Sequence, residues 1–450
     1  MKFEPFLTII TVICLLSAIL LPSFVTRVCA SSTTIYVDIM NANDPGQDGS
    51  AAHPFDSIQK GVFAASSGDT IQVAAGVYYG EVDINKSSIS LVGQKGSTIL
   101  DGNGTGVVGI RVYHFSPDYT ENVSISGFTV QNFVKGITLS RSINIRLRDN
   151  SMINNTYNFG DYTLQVHDVD TSNLVDGKPI YFWVNQHDKQ VPAGAGFVDL
   201  VNCVNMTVRD LNLTNNVQGL VLKNTTDSLV ENVRIVNNWD GLYLQRWSNS
   251  NTLIDNTVSD NLFMGIYVST SSSNVIKNNS ISNNGYGLFL DSTVFEYVIG
   301  YQPTDNTVTG NIVTGNTVAN SSAAGVYSDE SVDNVFYFNN FLNNSQQVYS
   351  VNSTNVWDDG VEGNYWTDYV GKDLNNTGFG DVPYVIDENN QDNHPLMRAR
   401  VVSELPSFSL VLFLAAVTVG VALFARARKS YFKVRKTKPM GSVARNSGPV

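Results

Sequence analysis

The sequence predicts an all-β chain wound as a right-handed parallel β-helix, a single-stranded solenoid with about 22–23 residues in each coil. The first observation is a phrase that recurs four times, as NNVQGLVL, NNWDGLYL, DNLFMGIYV and NNGYGLFL. The second is the apolar residue two positions before each copy, which gives Leu213, Ile235, Val258 and Ile281 at gaps of 22, 23 and 23 residues. The third is alternation of apolar residues between Asn, Gly, Ser and Thr, which is typical of strands and turns. A fixed period of this length indicates stacked coils.

The four apolar positions belong in the interior of that solenoid. Each repeat is too short for a strand–helix pair and has no apolar stripe with helical spacing. We therefore expect Ile235 to point inward, stacked between Leu213 and Val258 of the adjacent coils. Recurrent asparagines at one corner are expected to form an amide ladder between coils.

Residues 1–30 are predicted to be a secretory signal peptide. Lys2 gives a weak positive start, residues 6–21 are apolar, and Val28-Cys29-Ala30 offers small residues for cleavage after Ala30. The alternative is a membrane anchor that is not cleaved. Cys14 and Cys29 lie in this segment, so Cys203 is alone and no disulfide is expected in the mature chain.

The other end predicts a membrane tether. Phe408–Ala425 is an uncharged stretch of 18 residues, long enough to cross a bilayer, so residues 405–425 are predicted as a transmembrane helix. The basic segment 426–450 follows and is predicted to be cytoplasmic. Residues 31–404 then form an outward-facing β-helix ectodomain. The segment before the helix weakly resembles archaeal C-terminal sorting signals, so processing there is the alternative.

The charge of the chain argues against nucleic acid as a partner. The formal net charge is −12, and residues 31–425 hold 18 Lys and Arg against 39 Asp and Glu, hence −21. A surface of this sign repels phosphate backbones. It is compatible with cations, cationic partners or neutral sugars, and also with a general need for solubility.

The remaining elements of the ectodomain follow in chain order. A first strand is predicted at Thr34–Asp38 and a capping helical turn at residues 57–65. The apolar spacing is interrupted at about residues 157–198, which predicts an insertion, and again around Glu296–Thr304. Residues 355–397 are rich in aromatic and acidic side chains, as expected of a C-terminal cap over the last coil.

Several segments resemble archaeal proteins of the NosD-like group. They are Thr34-Ile35-Tyr36-Val37, Ser57-Ile58-Gln59, Gly68-Asp69-Thr70-Ile71, the insertion's Asp176-Gly177-Lys178-Pro179, and Gly363-Asn364-Tyr365-Trp366. The resemblance implies a right-handed parallel β-helix related to pectin lyases. The namesake of the family is an extracytoplasmic accessory protein in copper-site assembly that works beside an ABC transporter. Copper is not expected as a cofactor here, because the sequence has no repeated or clustered Met and His.

A calcium loop is the sharpest local signal. The stretch DLNNTGFGD spaces Asp373, Asn375, Thr377 and Asp381 around Gly378, and alternate oxygen side chains of this kind can wrap one Ca²⁺. Two departures weaken the pattern, since Thr377 stands where Asp is usual and Tyr384 stands where a full loop has Glu. The alternative is a glycine-rich turn with solvated acids.

These observations predict a membrane-anchored cell-surface protein that binds carbohydrate or another envelope component. Enzymatic activity is left open and is not favoured. A polysaccharide lyase, hydrolase or epimerase needs convergent carboxylates or a base beside them. Asp240 with Arg246, and Asp255 with Lys277, are conceivable groups, although solvated surface charge is the favoured explanation for them. Copper handling, in the manner of the family namesake, is the third alternative.

Overall fold

A computed structural model describes residues 32–115, 117–292 and 311–400 as a right-handed β-solenoid, which confirms the predicted fold class. In this part of the chain the one α-helix is α1 (Ile58–Ala64), and a 3₁₀ turn spans Ile39–Asn41. The helix begins where predicted because the Ser57 side chain accepts the Lys60 N–H. It covers the first coil, with Ile58 and Val62 buried.

Seventeen strands, β1 to β17, form the first segment of the solenoid. They are β1 (Thr34–Val37), β2 (Thr70–Val73), β3 (Gly76–Tyr79), β4 (Val82–Ile84), β5 (Ser90–Val92), β6 (Thr98–Asp101), β7 (Val108–Val112), β8 (Thr120–Glu121), β9 (Ser124–Ser126), β10 (Phe128–Gln131), β11 (Lys135–Leu139), β12 (Ser142–Ile143), β13 (Arg146–Arg148), β14 (Ser151–Ile153), β15 (Tyr157–Asp161), β16 (Asp168–Val169) and β17 (Leu174–Val175).

The later strands form the second segment and its cap. They are β18 (Lys178–Val184), β19 (Phe197–Val201), β20 (Thr207–Arg209), β21 (Asn212–Thr214), β22 (Gln218–Lys223), β23 (Leu229–Glu231), β24 (Arg234–Val236), β25 (Asp240–Gln245), β26 (Thr252–Ile254), β27 (Thr257–Ser259), β28 (Met264–Ser269), β29 (Val275–Lys277), β30 (Ser280–Ser282), β31 (Tyr286–Asp291), β32 (Ile312–Thr314), β33 (Thr317–Ala319), β34 (Ala324–Asp329), β35 (Val332–Tyr337), β36 (Asn340–Leu342), β37 (Val348–Val351), β38 (Thr354–Val356), β39 (Tyr365–Trp366), β40 (Tyr384–Val385) and β41 (Gln391–Asp392).

Each coil contributes strands to the long faces of the solenoid. In the second segment two faces are seven-stranded sheets, one from β20 to β38 and one from β21 to β39. The third face belongs to a 13-stranded sheet that runs from β3 through β14, β17, β18, β19 and β22 to β37. Among the described strands, all pairs are parallel except β17 with β18 and β40 with β41. Parallel pairing between successive coils is what a solenoid of this kind requires.

The predicted interior register is confirmed. Ile235 is fully buried and pairs with Leu213 on one side and Val258 on the other. The same column continues to Ile281, and beyond the interruption to Val318. Residues 293–310 lie outside the described part of the chain, and so does the predicted bulge around Glu296–Thr304.

Asparagine ladders form at three corners, where the sequence analysis expected one. In a typical step, the Asn279 side-chain oxygen accepts the Asn256 amide N–H at 2.9 Å while its Nδ2 donates to Leu253 O at 3.0 Å. Buried backbone N–H groups at the corners are thereby satisfied. The three ladders are Asn251-Asn274-Asn311-Asn334-Asn355-Asn390, Asn256-Asn279-Asn316-Asn339-Asn364 and Asn216-Asn238-Asn261-Asn284.

The backbone also explains why the recurring phrase begins with Asn or Asp and contains Gly. The first residue of each copy, as at Asn237 (φ 58°) and Asp260 (φ 56°), is left-handed, a conformation that Asn and Asp tolerate best after Gly. A Cβ on Gly265 would lie 2.5 Å from the carbonyl oxygen of Gly287 on the next coil. Only glycine allows the backbones to approach this closely.

Two hydrophobic cores meet at strands β19 and β22. Phe197 and Val201 of β19 pack into the first core, whereas Val198 and Leu200, which alternate with them, pack into the second. Val221 of β22 likewise faces the first core. These strands therefore form a wall buried on both sides, which we call the junction. The segment expected as an insertion, residues 157–198, contributes strands β15 to β18 here.

Aromatic rings close the C-terminal end of the second core. Trp357 and Trp366 are each 1% exposed. Trp357 stacks on Phe336 with ring centroids 4.3 Å apart, and Trp366 stacks on Phe341 at 4.4 Å. Tyr384 covers the other face of Trp366 at 4.3 Å. The rings bury the last apolar coil, which would otherwise face water.

None of the helices in residues 32–115, 117–292 and 311–400 is long and apolar enough to cross a membrane. The predicted signal peptide, transmembrane helix and basic tail lie outside these residues.

Candidate functional site

A charged cluster is buried at the junction. Asp199 and Lys223 lie on the side of β19 and β22 that faces the first core, because side chains alternate along a strand. Lys223 Nζ donates to Asp161 Oδ2 at 2.6 Å and to Asp199 Oδ2 at 2.9 Å. All three side chains are at most 1% exposed. The first segment supplies Asp161 and the second supplies Asp199 and Lys223, so the cluster ties the two segments together.

Burial and charge oppose each other in this cluster. Burial raises the pKa of Asp199, and the nearby Asp161 carboxylate adds to the rise. Burial would also raise the pKa of Asp161, but Lys223 and His167 outweigh it and hold that pKa below its usual range. The pKa of Lys223 is raised because two carboxylates overcome the effect of burial. Lys223 is therefore the cation that compensates two buried acids.

Hydrogen bonds orient Asp161 but leave Asp199 incompletely satisfied. Asp161 Oδ1 accepts the Thr163 N–H at 2.8 Å, and His167 Nε2 lies 3.6 Å from it. The Ile145 N–H donates to His167 Nδ1 at 3.2 Å, which places the ring proton of neutral His167 on Nε2. Asp199 Oδ1 and Gln218 Nε2 are buried without a hydrogen-bond partner among the described residues.

A row of aromatic side chains runs along the outer side of the third face. Tyr243, Tyr267, Phe289, Tyr327 and Tyr349 occupy equivalent positions on β25, β28, β31, β34 and β37. Successive ring centroids are 4.9, 5.5, 4.2 and 5.4 Å apart. The rings form a cluster separate from both cores, apart from Tyr243, which also packs against the first core. We call this row the aromatic face.

The exposure of the aromatic face increases toward its C-terminal end. Tyr267 is 4% exposed, whereas Tyr349 is 46% exposed. Beside the row, Phe263 is 45% exposed, and its ring centroid lies 5.6 Å from that of Tyr286. Tyr267 and Phe289 are thus buried, whereas Tyr349 and Phe263 present exposed apolar surface, which is a feature of interaction sites.

The junction end of the aromatic face carries titratable groups. Lys135 Nζ lies 3.7 Å from the centre of the Trp239 ring and donates to the Tyr162 hydroxyl at 2.8 Å. Burial raises the pKa of Asp240 to about 6, and its carboxyl group is hydrogen-bonded to Tyr243. Burial lowers the pKa of Lys135. A carboxyl group and an amine with such shifts, next to aromatic rings, could exchange protons with a bound molecule.

We expect stability to fall as pH rises through the pKa of Asp240. Between pH 4 and pH 6 folded Asp240 holds a proton that the unfolded chain has lost, so the unfolding free energy decreases with pH. The shift to about 6 corresponds to on the order of 2–3 kcal/mol. Relative to Asp240→Asn, wild type should therefore lose about half of this, on the order of 1.4 kcal/mol, from pH 5 to pH 7.5. Melting curves across this range test it. Asp255→Asn, at an exposed position, is the control, and parallel curves for wild type and Asp240→Asn would contradict it.

Arg246 and Asp255 make backbone contacts in the structure. Arg246 Nη1 donates to the Leu164 carbonyl at 2.6 Å. The Asp255 N–H donates to the Lys277 carbonyl, so these two residues contact each other through their backbones on adjacent coils. Of the residues considered from sequence, Asp240 is the one that lies at the aromatic face.

The predicted calcium loop is closed by backbone hydrogen bonds. Asp373 accepts the N–H groups of Thr377 at 2.9 Å and Gly378 at 2.8 Å, and Asp381 accepts the Leu374 N–H at 2.7 Å. The Gly378 hydrogen bond is the main cause that lowers the pKa of Asp373. Asn375 and Thr377 are exposed. Calcium binding by this loop stays a prediction.

A copper centre does not fit the described residues. In residues 32–115, 117–292 and 311–400 no three His, Cys, Asp or Glu side chains are grouped so that they could hold a metal ion. Cys203 is buried, and its Sγ lies 3.4 Å from the carbonyl oxygens of Trp183 and Val201. Burial raises the pKa of this thiol, which disfavours the thiolate that binds metals.

Sequence reasoning missed the buried cluster and the aromatic face. One signal was available for the first: Lys223 ends the apolar run GLVL, where the following copies have Gln245, Ser269 and Asp291. For the second, Tyr243, Tyr267 and Phe289 occupy the same position of the repeat, but the alternating strand pattern alone does not distinguish these rings from other apolar residues.

Comparison with known proteins gives one family match. Residues 172–371 match the family described as "Periplasmic copper-binding protein (NosD)". Two proteins named "Probable ABC transporter binding protein NosD" are similar. The one from Stutzerimonas stutzeri is 45% identical over 60 residues, covering 13% of this chain and 14% of its own. The one from Pseudomonas aeruginosa is 28% identical over 137 residues, covering 26% and 32%. The chain thus matches less than a third of the length of each relative.

The solved structures that align with this chain do so with low TM-scores. The tailspike protein of E. coli bacteriophage HK620, solved with a pentasaccharide, is 13% identical with a TM-score of 0.35, covering 73% of this chain and 66% of its own. The A-module of a mannuronan C-5 epimerase from Azotobacter vinelandii is 16% identical with a TM-score of 0.28, covering 71% and 99%. Values this low carry no information about activity. The predicted resemblance to NosD proteins is thus confirmed by the sequence matches, with the family itself matched over residues 172–371.

Proposed function

We propose that this protein is an extracytoplasmic binding protein whose ligand is a carbohydrate of the cell envelope, held along the aromatic face. The observation that carries the proposal is the row from Tyr243 to Tyr349, with rings repeated coil after coil on one outer surface. Aromatic rings present a broad apolar surface with a polar tip, which suits the apolar faces and hydroxyl groups of sugars. A repeated row suits a repeated ligand.

Acidic side chains beside the rings narrow the class of ligand. The Tyr327 hydroxyl is 3.3 Å from Oδ2 of Asp329, which is partly exposed, whereas Tyr267 and Asp291 form a similar pair in the buried part of the row. Carboxylates accept hydrogen bonds from sugar hydroxyl groups and repel uronates and phosphates. We therefore expect neutral or amino sugars to bind and acidic polysaccharides to bind poorly.

A polysaccharide screen tests this proposal. The purified chain would be offered neutral, amino-sugar and uronate polymers, and each mixture would be scored for retention of protein and for shortened or altered polymer. Retention by a neutral or amino-sugar polymer without chemical change is the expected result. Absence of retention by every polymer, at protein concentrations up to millimolar, would contradict the proposal.

A polysaccharide-modifying enzyme is the second candidate, and Asp240 is the observation that favours it. This acid has a pKa of about 6 and is hydrogen-bonded to Tyr243, which suits transfer of a proton near neutral pH. If the screen yields an altered polymer, Asp240→Asn should abolish the change and leave retention intact. Copper handling, the third candidate, has no set of ligands in the described residues to support it.

The chain is proposed to be tethered to the outer side of the cell membrane by residues 405–425. The uncharged stretch and the basic segment after it support this placement. Protease added to intact cells should digest residues 31–404 and spare the tail. Release of the protein without any membrane-bound fraction would contradict a retained tether.

Calcium is proposed as a weakly bound ion in the loop from Asp373 to Asp381. Binding with a Kd of about 10⁻⁴–10⁻³ M, as in extracellular modules, would stabilise the fold by about 1 kcal/mol at a few times Kd. Millimolar Ca²⁺ should raise the melting temperature slightly, Mg²⁺ should raise it less, and the double variant Asp373→Ala/Asp381→Ala should not respond. An equal response of both proteins would show that the loop is only a turn.

A further inference from the structure

The buried cluster at the junction brings an amine, a carboxyl group and a second carboxyl group into contact in a site closed to water. Lys223 Nζ lies 2.6 Å from Asp161 Oδ2 and 2.9 Å from Asp199 Oδ2. Phe182 packs beside them, with Lys223 Nζ 5.8 Å from its ring centre. A close approach in a fixed geometry can raise the effective concentration of reacting groups by many orders of magnitude.

An ordinary ion pair is a poor fit to these surroundings. With all three groups ionised, the cluster holds two negative charges against one positive charge at a place with no solvent contact. Asp199 Oδ1 has no partner among the described residues, although a buried carboxylate oxygen needs one. Asp199 in its neutral form, which burial favours, removes part of this cost and leaves one acid proton in contact with the amine.

We infer that Lys223 and Asp161 are joined by an intramolecular isopeptide bond, with Asp199 as the catalytic acid and base that forms it. No metal, cofactor or oxidant is required. The bond would covalently link the first and second segments of the solenoid across the junction.

The step balances as a condensation. The reaction starts from the minor form of the pair, in which a proton has passed from the Lys223 ammonium to the Asp161 carboxylate and left a neutral amine and a neutral acid. Lys223 Nζ attacks Asp161 Cγ, neutral Asp199 gives its proton to Asp161 Oδ2, and the resulting Asp199 carboxylate takes a proton from the nitrogen. The N–C bond forms, the C–Oδ2 bond breaks, and Oδ2 leaves as water. Asp199 ends in its starting state and no electrons are transferred.

The surroundings distinguish the roles of the two acids. Negative charge develops on Asp161 Oδ1 during attack, and this atom already accepts the Thr163 N–H at 2.8 Å and lies 3.6 Å from His167 Nε2. His167 is a positioning residue, held in its tautomer by the Ile145 N–H. The unpartnered Oδ1 of Asp199 leaves that carboxyl group able to carry a proton.

Peptide mapping of the full chain by mass spectrometry tests the inference. The protein should come from a host without N-linked glycosylation, because Asn154, Asn212 and Asn224 lie in N-x-[ST] motifs. Trypsin does not cleave after an acylated lysine, so wild type should yield peptides 149–189 and 210–234 joined and lighter by one water than their sum. Separate peptides 149–189 and 210–223 in wild type would overturn it.

Variants separate the roles within the cluster. Asp199→Asn should leave the two peptides unlinked, and Lys223→Arg should do the same. Asp240→Asn, at a second buried acid, should keep the link. A link between peptides 190–209 and 210–234 would contradict the roles assigned to the two acids, since it would place the bond on Asp199. The wild-type result stands even if a variant fails to fold.

Discussion

Ile235→Asp should destabilise the protein by more than about 4 kcal/mol. Ile235 is fully buried between Leu213 and Val258 and belongs to the second hydrophobic core. An aspartate at this position must either be ionised without a partner or be protonated at a cost, and both outcomes favour the unfolded chain. Because each coil is stabilised by its neighbours, the damage should extend to adjacent coils.

Unfolding in urea measures the loss of unfolding free energy in Ile235→Asp. Two other variants of the same strand serve as references for its size. Ile235→Val removes one methylene and should cost about 0.5–1.5 kcal/mol. Arg234→Asp introduces the same charge at the exposed neighbouring position and should change stability by no more than about 0.5 kcal/mol. Equal urea midpoints for Ile235→Asp and Arg234→Asp would mean that the interior register is wrong.

Lys223→Met should cost about 3–5 kcal/mol, because Asp161 then has neither an ammonium partner nor an isopeptide bond and lies as a second acid beside buried Asp199. Asp161 and Asp199 would then face each other without compensation in the closed junction. Both acids can escape the cost by taking up protons, so the loss should be larger at pH 8 than at pH 5. The sign follows from their pKa values, which would both be raised in the folded variant.

Thermal melting at the two pH values measures the effect of Lys223→Met. Lys277→Met, an exposed lysine on β29, should have little effect. The triple variant Lys223→Met/Asp161→Asn/Asp199→Asn should regain much of the stability, since no uncompensated charge remains. A melting temperature of Lys223→Met equal to that of wild type at pH 8 would contradict the role given to this cluster.

The fold could be predicted from sequence because each coil repeats the same backbone conformation and the same inward-facing residues. The apolar residue of each copy, the left-handed Asn or Asp and the close-packed Gly all recur at fixed spacing, so Leu213, Ile235 and Val258 were placed correctly. The wall at β19 and β22 could not be predicted. Its strands are buried on both sides by two different cores. A repeated spacing of apolar residues predicts which residues face a core, but it does not predict where two cores meet.

The candidate site was predictable only in part. The sequence shows Asp240 as an acid on a coil, but its buried position beside Tyr243 and the Met264 N–H follows from the register of adjacent coils. The Lys223 cluster joins residues 62 and 24 positions apart, and no local pattern signals such a contact. The aromatic face required the register of five coils before the rings could be aligned.

The measurement that tests the proposed function most directly is a titration of the best-retained polysaccharide with wild type and with Tyr327→Ala/Tyr349→Ala. These two rings stack on each other on adjacent coils, and Tyr349 is 46% exposed. Removing both should weaken binding by about 10-fold or more, at about 1 kcal/mol for each ring. Phe63→Ala, an exposed ring on α1, should bind like wild type. Equal affinity of wild type and the double variant, with both folded, would mean that the aromatic face is not the binding surface.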